Sequence, residues 1–131
     1  MTEIKTGSCL CGAVTYQVNG PLRDVIACHC TQCRKASGHH VAATSCAQED
    51  IVINGDTLTW FQSSDRAKRA FCSICGSNMF WRPRSGERIS IFAGTLNGAT
   101  GLKMTSQLYT DDKGDYYDLP DVPEVEQTPI K

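Results

Sequence analysis

The sequence has no long hydrophobic run, no leader-like start and no marked excess of charge. A membrane-spanning helix needs about 18 consecutive apolar residues, and no segment approaches that length. The first residues lack the basic and apolar regions of a secretory signal. The formal net charge is −1, which gives no basic surplus for nucleic-acid phosphate and no polybasic membrane signal. We therefore expect a cytoplasmic protein with no nucleic-acid or membrane partner.

Internal repeats, low-complexity tracts and linkers are also missing, and no segment has a long helical periodicity. The 131 residues suit one globular domain, because hydrophobic residues make up 40% and charged residues 21%. We expect a single domain over residues 1–131, with a core at about 5–120. The proline-rich end, residues 119–131, is expected to be an extended tail. Nothing in the sequence indicates an oligomeric state.

Short alternating segments predict a mainly-β fold with antiparallel strands. The predicted strands are residues 3–6, 13–18, 24–29, 41–46, 50–53, 58–62, 67–72, 78–82, 88–93 and 104–109. Thr31–Ser37 ends before Gly38 and predicts a short helix. The Asn54-Gly55 dipeptide predicts a hairpin between the strands that flank it. The aromatic residues expected in the core are Trp60, Phe61, Phe71, Phe80, Trp81 and Phe92.

Eight cysteines stand out in a chain with no sign of secretion. In a reducing compartment such cysteines indicate metal ligands or catalytic groups rather than disulfides. Cys9 and Cys11 form a C-x-C pair, and Cys28, Cys30 and Cys33 form a C-x-C-x-x-C group. Cys46 stands alone, and Cys72 and Cys75 form a C-x-x-C pair.

The first and last pairs predict one closed structural zinc site. On a strand, residues two apart point to the same side, so Cys9 and Cys11 can converge on one ion. Cys72 and Cys75 precede Gly76 in the pattern of a zinc knuckle. Together these four thiolates complete a tetrahedral site.

The middle group predicts a second, open zinc site. Cys28, Cys30 and Cys33 supply three ligands and leave a fourth position for water or substrate, as in catalytic zinc sites. The sequence thus predicts two Zn²⁺ ions per chain. Alternatives are disulfides, a redox-active C-x-x-C, an iron–sulfur cluster, or a purely structural second site that Cys46 completes. Cys46 can equally be a small buried core residue.

Three segments, GSCLCGAVTY, CHCTQCRKASG and FCSICGSNMF, resemble in order and spacing the glutathione-dependent formaldehyde-activating enzyme (GFA) family, also called the centromere-protein-V/GFA domain. The resemblance implies an Mss4-like β-tent and a carbon–sulfur lyase that interconverts glutathione plus formaldehyde with S-(hydroxymethyl)glutathione. It implies the same partition of metal ligands, with a structural zinc on Cys9, Cys11, Cys72 and Cys75 and a catalytic zinc on Cys28, Cys30 and Cys33. The substrate expected is glutathione or another small thiol, with formaldehyde or a small aldehyde.

Histidines and basic residues are further candidates for the site. His29 lies between two ligands on a strand, so it is expected to face away and to pack. His39 and His40 follow the helix and are candidate proton shuttles. The basic residues of the middle segment can bind the carboxylates of glutathione or form a solvated face, and they are Arg66, Lys68, Arg69, Arg82, Arg84 and Arg88.

A second hypothesis is a non-catalytic zinc module that binds a protein partner. The residue that separates the two hypotheses is Cys46, because its sulfur on the second zinc would make that site structural. The sequence also departs from the family pattern at residues 106–109 and 114–117. If those positions shape the substrate pocket, the substrate differs from that of the family.

Overall fold

The computed structural model describes residues 4–125, which contain ten strands and one α-helix. The strands are β1 (Lys5–Ser8), β2 (Thr15–Val18), β3 (Val25–Cys28), β4 (Val41–Ala47), β5 (Ile51–Asn54), β6 (Leu58–Ser64), β7 (Ala67–Cys72), β8 (Asn78–Pro83), β9 (Arg88–Phe92) and β10 (Met104–Leu108). Helix α1 spans Thr31–Ser37, and single 3-10 turns lie at Gln48–Asp50, Ala93–Thr95 and Thr110–Asp112. None of the helices in residues 4–125 is long and apolar enough to cross a bilayer.

The strands form two sheets. The smaller sheet has the order β1-β2-β5, and the larger has the order β10-β3-β4-β9-β8-β7-β6. All neighbours are antiparallel except β10, which runs parallel to β3. The mainly-β fold of short antiparallel strands, the β-tent that the family resemblance implies, is confirmed.

The main core fills the space between the two sheets. Tyr16 of the small sheet meets Phe80 of the large sheet edge to face, with ring centroids 5.3 Å apart. The aromatic-core prediction holds for Phe80, which is fully buried, but it is wrong for Phe61, which is 43% exposed. Phe61 lies on β6, an edge strand of the large sheet, where half of its surroundings are solvent.

The predicted hairpin across Asn54-Gly55 is also wrong. Strand β5 pairs with β2 in the small sheet, whereas β6 pairs with β7 in the large one. The dipeptide therefore carries the chain from one sheet to the other. Gly55 has φ 126°, and a Cβ at this position would overlap the carbonyl oxygen of Ala13. Glycine is required here for a close backbone approach rather than for a hairpin turn.

Strand register divides the residues of the large sheet between two faces. Cys28 pairs with Val41, Ala43 pairs with Phe92, and these side chains share one face because partners on adjacent strands point the same way. Alternate residues of β4, among them Thr44 and Cys46, point to the opposite face, toward the main core. We call the face of Cys28, Val41, Ala43 and Phe92 the cleft face, after the cleft described below, and the face of Thr44 and Cys46 the core face.

The segment after β10 returns along the edge of the large sheet. The amide of Val125 donates to the carbonyl of Gln107 at 2.9 Å, and the amide of Gln107 donates to the carbonyl of Pro123 at 3.1 Å. The first part of the predicted tail is thus hydrogen-bonded beside β10. Its last residues, 126–131, and the predicted strand start at Glu3 lie outside the described residues.

Candidate metal centres and the adjoining cleft

Cys9, Cys11, Cys72 and Cys75 come together as one group, which we call the closed cluster. Their sulfurs all lie within 4.8 Å of one another. The Sγ atoms of Cys9 and Cys11 are 3.6 Å apart, and those of Cys11 and Cys72 are 3.8 Å apart. Four thiolates at about 2.3 Å from one tetrahedral ion are separated by about 3.8 Å, so the group fits a metal ion.

Hydroxyl and amide donors surround the sulfurs of the closed cluster. The amide of Val14 donates to Cys9 Sγ at 3.3 Å, Thr57 Oγ1 lies 3.4 Å from Cys72 Sγ, and Ser77 Oγ lies 3.2 Å from Cys75 Sγ. The Ser77 hydroxyl, helped by backbone amides, lowers the pKa of Cys75 to about 5. The Thr57 hydroxyl likewise lowers the pKa of Cys72. These donors stabilise thiolate, the form that binds a metal. Cys11 differs, because a backbone hydrogen bond at Ala13 lowers its pKa but burial and the neighbouring thiols raise it on balance to about 11.

Cys28, Cys30 and Cys33 form a second group, which we call the open cluster. Their sulfurs also lie within 4.8 Å of one another. Cys28 ends β3, while Cys30 is the N-cap of α1 and its Sγ accepts the amide of Cys33 at 3.2 Å. The extended backbone of Cys30 (φ −61°, ψ 161°) followed by a helical turn folds the three sulfurs onto one point.

Arg69 is a cation that contacts the open cluster. Its Nη2 donates to Cys33 Sγ at 3.3 Å, and the side chain is only 5% exposed. The neighbouring Cys28 thiol and burial raise the pKa of Cys33, whereas the charge of Arg69 acts in the opposite direction. Three neighbouring thiols resist losing their protons, but a bound metal ion can displace those protons and neutralise the thiolates that result. The group therefore fits a metal ion and leaves one ligand position open.

Cys46 belongs to neither group of the described residues. It is fully buried in the main core, beside the residues of the core face. Burial raises the pKa of its thiol to about 11. Its position on β4 places it on the opposite face of the sheet from Cys28, so it does not complete the open cluster.

A cleft of about 330 Å³ adjoins the open cluster on the cleft face. Cys28 and Cys33 lie at one wall, and Arg69 and Arg23 add positive charge. The remaining walls are mostly apolar and include Ile26, Val41, Ala43, Trp81, Phe92, Leu108 and Val125. A ligand in this cleft would lie beside Cys28 and Cys33, two of the three cysteines that would hold the metal.

Comparison with known proteins agrees with this geometry. The family model of the glutathione-dependent formaldehyde-activating enzyme matches residues 4–112, which include both clusters. The chain belongs to the GFA family. An uncharacterized lyase of the fission yeast Schizosaccharomyces pombe is 30% identical over 114 residues, which cover 86% of this chain and 83% of the yeast protein. The crystal structure of a Rhodobacter sphaeroides protein is similar, with a TM-score of 0.62 and 28% identity, over 76% of this chain and 99% of that one.

Tyr109 lines the cleft of this GFA chain, and the sequence indicated it only as part of residues 106–109, where the chain departs from the family pattern. It follows β10 with φ 57°, the one non-glycine residue with positive φ among residues 4–125. Its ring packs against the hydrophobic group of Cys30, Cys33 and Val41 and lines the cleft. Burial and the nearby Cys28 raise the pKa of its phenol. A left-handed tyrosine beside a cleft is a strained position that functional sites use.

Arg69 was predicted only as one of six basic residues. The signal that separates it from the others is its neighbours two positions away, Ala67 and Phe71, which are apolar. A strand with that alternation points its arginine to the same side as apolar groups. Lys68 and Arg82 lie instead on the other face, where the Arg82 guanidinium is 4.7 Å from the centre of the Trp60 ring.

The three histidines lie together on Tyr117 and do not line the cleft. His39 is exposed and its ring centroid is 4.2 Å from that of Tyr117. Burial lowers the pKa of His40, with the nearby His39 and His29 acting in the same direction and the nearby Cys28 in the opposite one. His40 thus lies near the open cluster, and its buried Nδ1 has no hydrogen-bond partner among the described residues. A proton-shuttle role for His39 or His40 stays a prediction.

His29 is a packed residue, as predicted. It is fully buried, with Nε2 2.9 Å from Gln107 Oε1 and Nδ1 2.9 Å from the Tyr117 hydroxyl. The Gln107 amide nitrogen donates to the carbonyls of Pro120 and Val122, which leaves its oxygen to accept from His29. His29 is therefore protonated on Nε2, and its Nδ1 accepts from Tyr117. It anchors the backbone between two cysteines of the open cluster.

Proposed function

We propose that this protein is a zinc-dependent carbon–sulfur lyase acting on the thiol adduct of formaldehyde or another small aldehyde. The reference reaction is the one in the family name, with glutathione and formaldehyde on one side and S-(hydroxymethyl)glutathione on the other. The observation that carries the proposal is the open cluster on a cleft, with the remaining cysteine, Cys46, on the opposite face of the sheet. The family match and the lyase-named relative support it.

The ligand assignment follows the two clusters. We infer a structural zinc on Cys9, Cys11, Cys72 and Cys75 and a catalytic zinc on Cys28, Cys30 and Cys33. The second ion, when bound, supplies a Lewis acid that lowers the pKa of a substrate thiol and polarises the aldehyde oxygen.

In the forward direction the sulfur–hydrogen bond of the thiol breaks and a carbon–sulfur bond forms to the aldehyde carbon. The π bond of the carbonyl opens, and its oxygen takes up the proton that the thiol releases. Tyr109 lines the cleft and can hydrogen-bond to that oxygen through its phenol O–H. Arg69 donates to Cys33 Sγ, a contact that favours the thiolate form of this cysteine. The apolar walls exclude bulk water, which would otherwise hydrate the aldehyde.

The alternative, a non-catalytic zinc module, has less support. It requires a closed second site, and Cys46 was the cysteine available to close it. Strand register places Cys46 in the main core beside Ile89, its partner on β9. An open three-cysteine group beside a cleft is the arrangement of a reactive site.

The test is exchange of labelled formaldehyde with its thiol adduct, followed by NMR on the zinc-loaded protein. We expect the wild type and Cys46→Ala to accelerate exchange and Cys30→Ser to lose the acceleration. Cys30→Ser is a suitable knockout because serine keeps the N-cap of α1 while removing a metal ligand. Equal exchange rates with wild type and Cys30→Ser would refute the proposal, as would no acceleration with any thiol.

A further inference from the structure

The cleft beside the open cluster has a chemical character that narrows the choice of thiol. Its volume of about 330 Å³ lies near the lower end of the range of small-molecule sites, about 300–1,000 Å³. Side chains from five neighbouring strands supply its apolar walls, with Ile26, Ala43, Phe92, Trp81 and Leu108 all on the cleft face. A compact apolar group fits such a space better than a chain of amides.

Arg69 supplies a buried positive charge in these walls. One of its nitrogens donates to Cys33 Sγ, but its Nε is buried and has no hydrogen-bond partner among the described residues. A buried guanidinium donor left unpaired is costly, and a carboxylate is its best partner. Arg69 thus brings a positive charge to the cleft wall, and its enclosed Nε leaves that charge incompletely paired by the protein itself.

Arg23 adds a second positive charge at the edge of the cleft. Its guanidinium is held by the backbone carbonyls of Asp24 and Ala43, at 3.1 and 3.0 Å. No aspartate or glutamate of residues 4–125 lines the cleft. The cleft therefore favours an anion and offers no described carboxylate for an ammonium group.

Glutathione matches this cleft poorly. One of its two carboxylates can meet Arg69, but it also carries an ammonium and two amide groups, and each of these would lose its water against apolar walls without a partner. A small thiol with an aromatic or branched apolar group and one carboxylate leaves no such group unpaired. It can place its sulfur at the open cluster, its apolar group against Phe92 and Trp81, and its carboxylate at Arg69.

We propose that the thiol substrate of the open cluster is a small mercaptocarboxylate with an apolar side chain, selected over peptide thiols by the apolar cleft and Arg69. The proposal rests on the proposed function, because it takes a thiol adduct as the substrate. In the reaction the same atoms move as above, with the mercaptocarboxylate sulfur bonding to the aldehyde carbon and its proton passing to the aldehyde oxygen.

Calorimetry on the zinc-loaded full chain tests this selection with three thiols. The probes are 2-mercapto-3-phenylpropanoate, 2-phenylethanethiol, which lacks the carboxylate, and glutathione. We expect 2-mercapto-3-phenylpropanoate to bind at least about tenfold more tightly than glutathione, because burying the ammonium and amides of glutathione without partners costs at least about this factor. Equal or tighter binding of glutathione would overturn the proposal.

Matched variants separate the contribution of Arg69 to binding from that of the apolar walls. Arg69→Gln should weaken binding of 2-mercapto-3-phenylpropanoate about tenfold more than binding of 2-phenylethanethiol, whose own change measures the loss of the Arg69 contact with Cys33. Arg82→Gln, on the other face, should change neither. Equal losses for both thiols in Arg69→Gln would mean that Arg69 acts only on the metal cluster. Ala43→Leu fills the cleft without replacing Arg69 or a cysteine, and it should weaken both phenyl thiols but not glutathione.

The exchange assay separates this proposal from the proposed function. Acceleration with 2-mercapto-3-phenylpropanoate and not with glutathione supports both. Acceleration with glutathione alone overturns the proposed selectivity and keeps the lyase. If the binding order holds but no thiol exchanges faster with formaldehyde, the cleft preference stands and the lyase function fails.

Discussion

The closed and open clusters use the same ligand atom in opposite surroundings. The closed cluster joins two distant segments of the chain, and hydroxyl and amide donors surround its sulfurs. The open cluster comes from a single six-residue segment, Cys28 to Cys33, and faces a cleft beside an arginine. A count of cysteines does not separate the two roles. The surroundings of the cysteines separate the two roles. Hydrogen-bond donors and links between distant segments suit a metal that stabilises the fold, whereas an adjoining cleft suits a metal that binds a ligand.

The largest expected difference between the clusters is in stability. Structural zinc contributes an apparent folding free energy of about 10–16 kcal/mol, which matches or exceeds the whole stability of a typical domain, about 5–15 kcal/mol. Cys72→Ser should therefore unfold the protein. Cys30→Ser should leave it folded, since serine still caps α1. Circular dichroism and thermal melting measure both, and equal losses in the two variants would contradict the division of roles.

A smaller difference is expected in the pH at which each cluster releases its metal. Thiolates must take up protons when a metal leaves, so acid weakens binding. The pKa of Cys75 is lowered to about 5 and that of Cys72 is also lowered, whereas the pKa of Cys11 in the same cluster is raised to about 11 and that of Cys33 in the open cluster is raised. The closed cluster thus keeps two stabilised thiolates, Cys72 and Cys75, as the pH falls toward 5, whereas Cys33 of the open cluster takes up its proton at higher pH.

We therefore expect metal to leave the zinc-loaded protein in two steps, first from the open cluster and then from the closed one. A chromogenic chelator follows the release during stepwise acidification. Cys30→Ser assigns the steps, because it should lack the one at higher pH. Release of both ions in one step, or loss of the lower-pH step in Cys30→Ser, would contradict the comparison.

The smallest effect is expected at Cys46, which lies in the main core and belongs to neither cluster. Cys46→Ala removes one buried sulfur from the main core and should lower the free energy of unfolding by about 1 kcal/mol. Denaturant unfolding measures this change. Metal content should equal that of the wild type, and Cys46→Val should restore part of the stability by refilling the space. Loss of one metal ion from Cys46→Ala would place Cys46 at a metal site after all.

Much of the fold follows from alternation and turn residues in the sequence. The ten strands lie within a few residues of the predicted segments because their apolar residues recur at the strand period. The helix Thr31–Ser37 has the predicted bounds and ends in a left-handed Gly38. The two cysteine groups were also predicted, since each pair or triplet is local and only the joining of two pairs is long-range.

Features that depend on how strands pair were not predictable in the same way. The Asn54-Gly55 turn has a hairpin sequence, but the partner of each flanking strand is chosen by burial between the two sheets. Tyr109 and Arg69 meet the open cluster only because β10 lies beside β3 and β7 joins the same sheet. The side of the sheet on which Cys46 lies required the register of β3 with β4. Long-range register of this kind leaves little trace in a single sequence.

The hydrogen bonds of His29 to Gln107 and Tyr117 have a consequence for the order in which the two clusters form during synthesis of the chain. All ligands of the closed cluster have been synthesised once Cys75 is in place, whereas Tyr117 follows about 40 residues later. At about 5–20 residues per second this is a delay of seconds. During it the three thiols of the open cluster lack their buried anchor. We expect the cell to load the structural ion first and the reactive ion last, and the unfinished site to be the one most open to oxidation during biosynthesis.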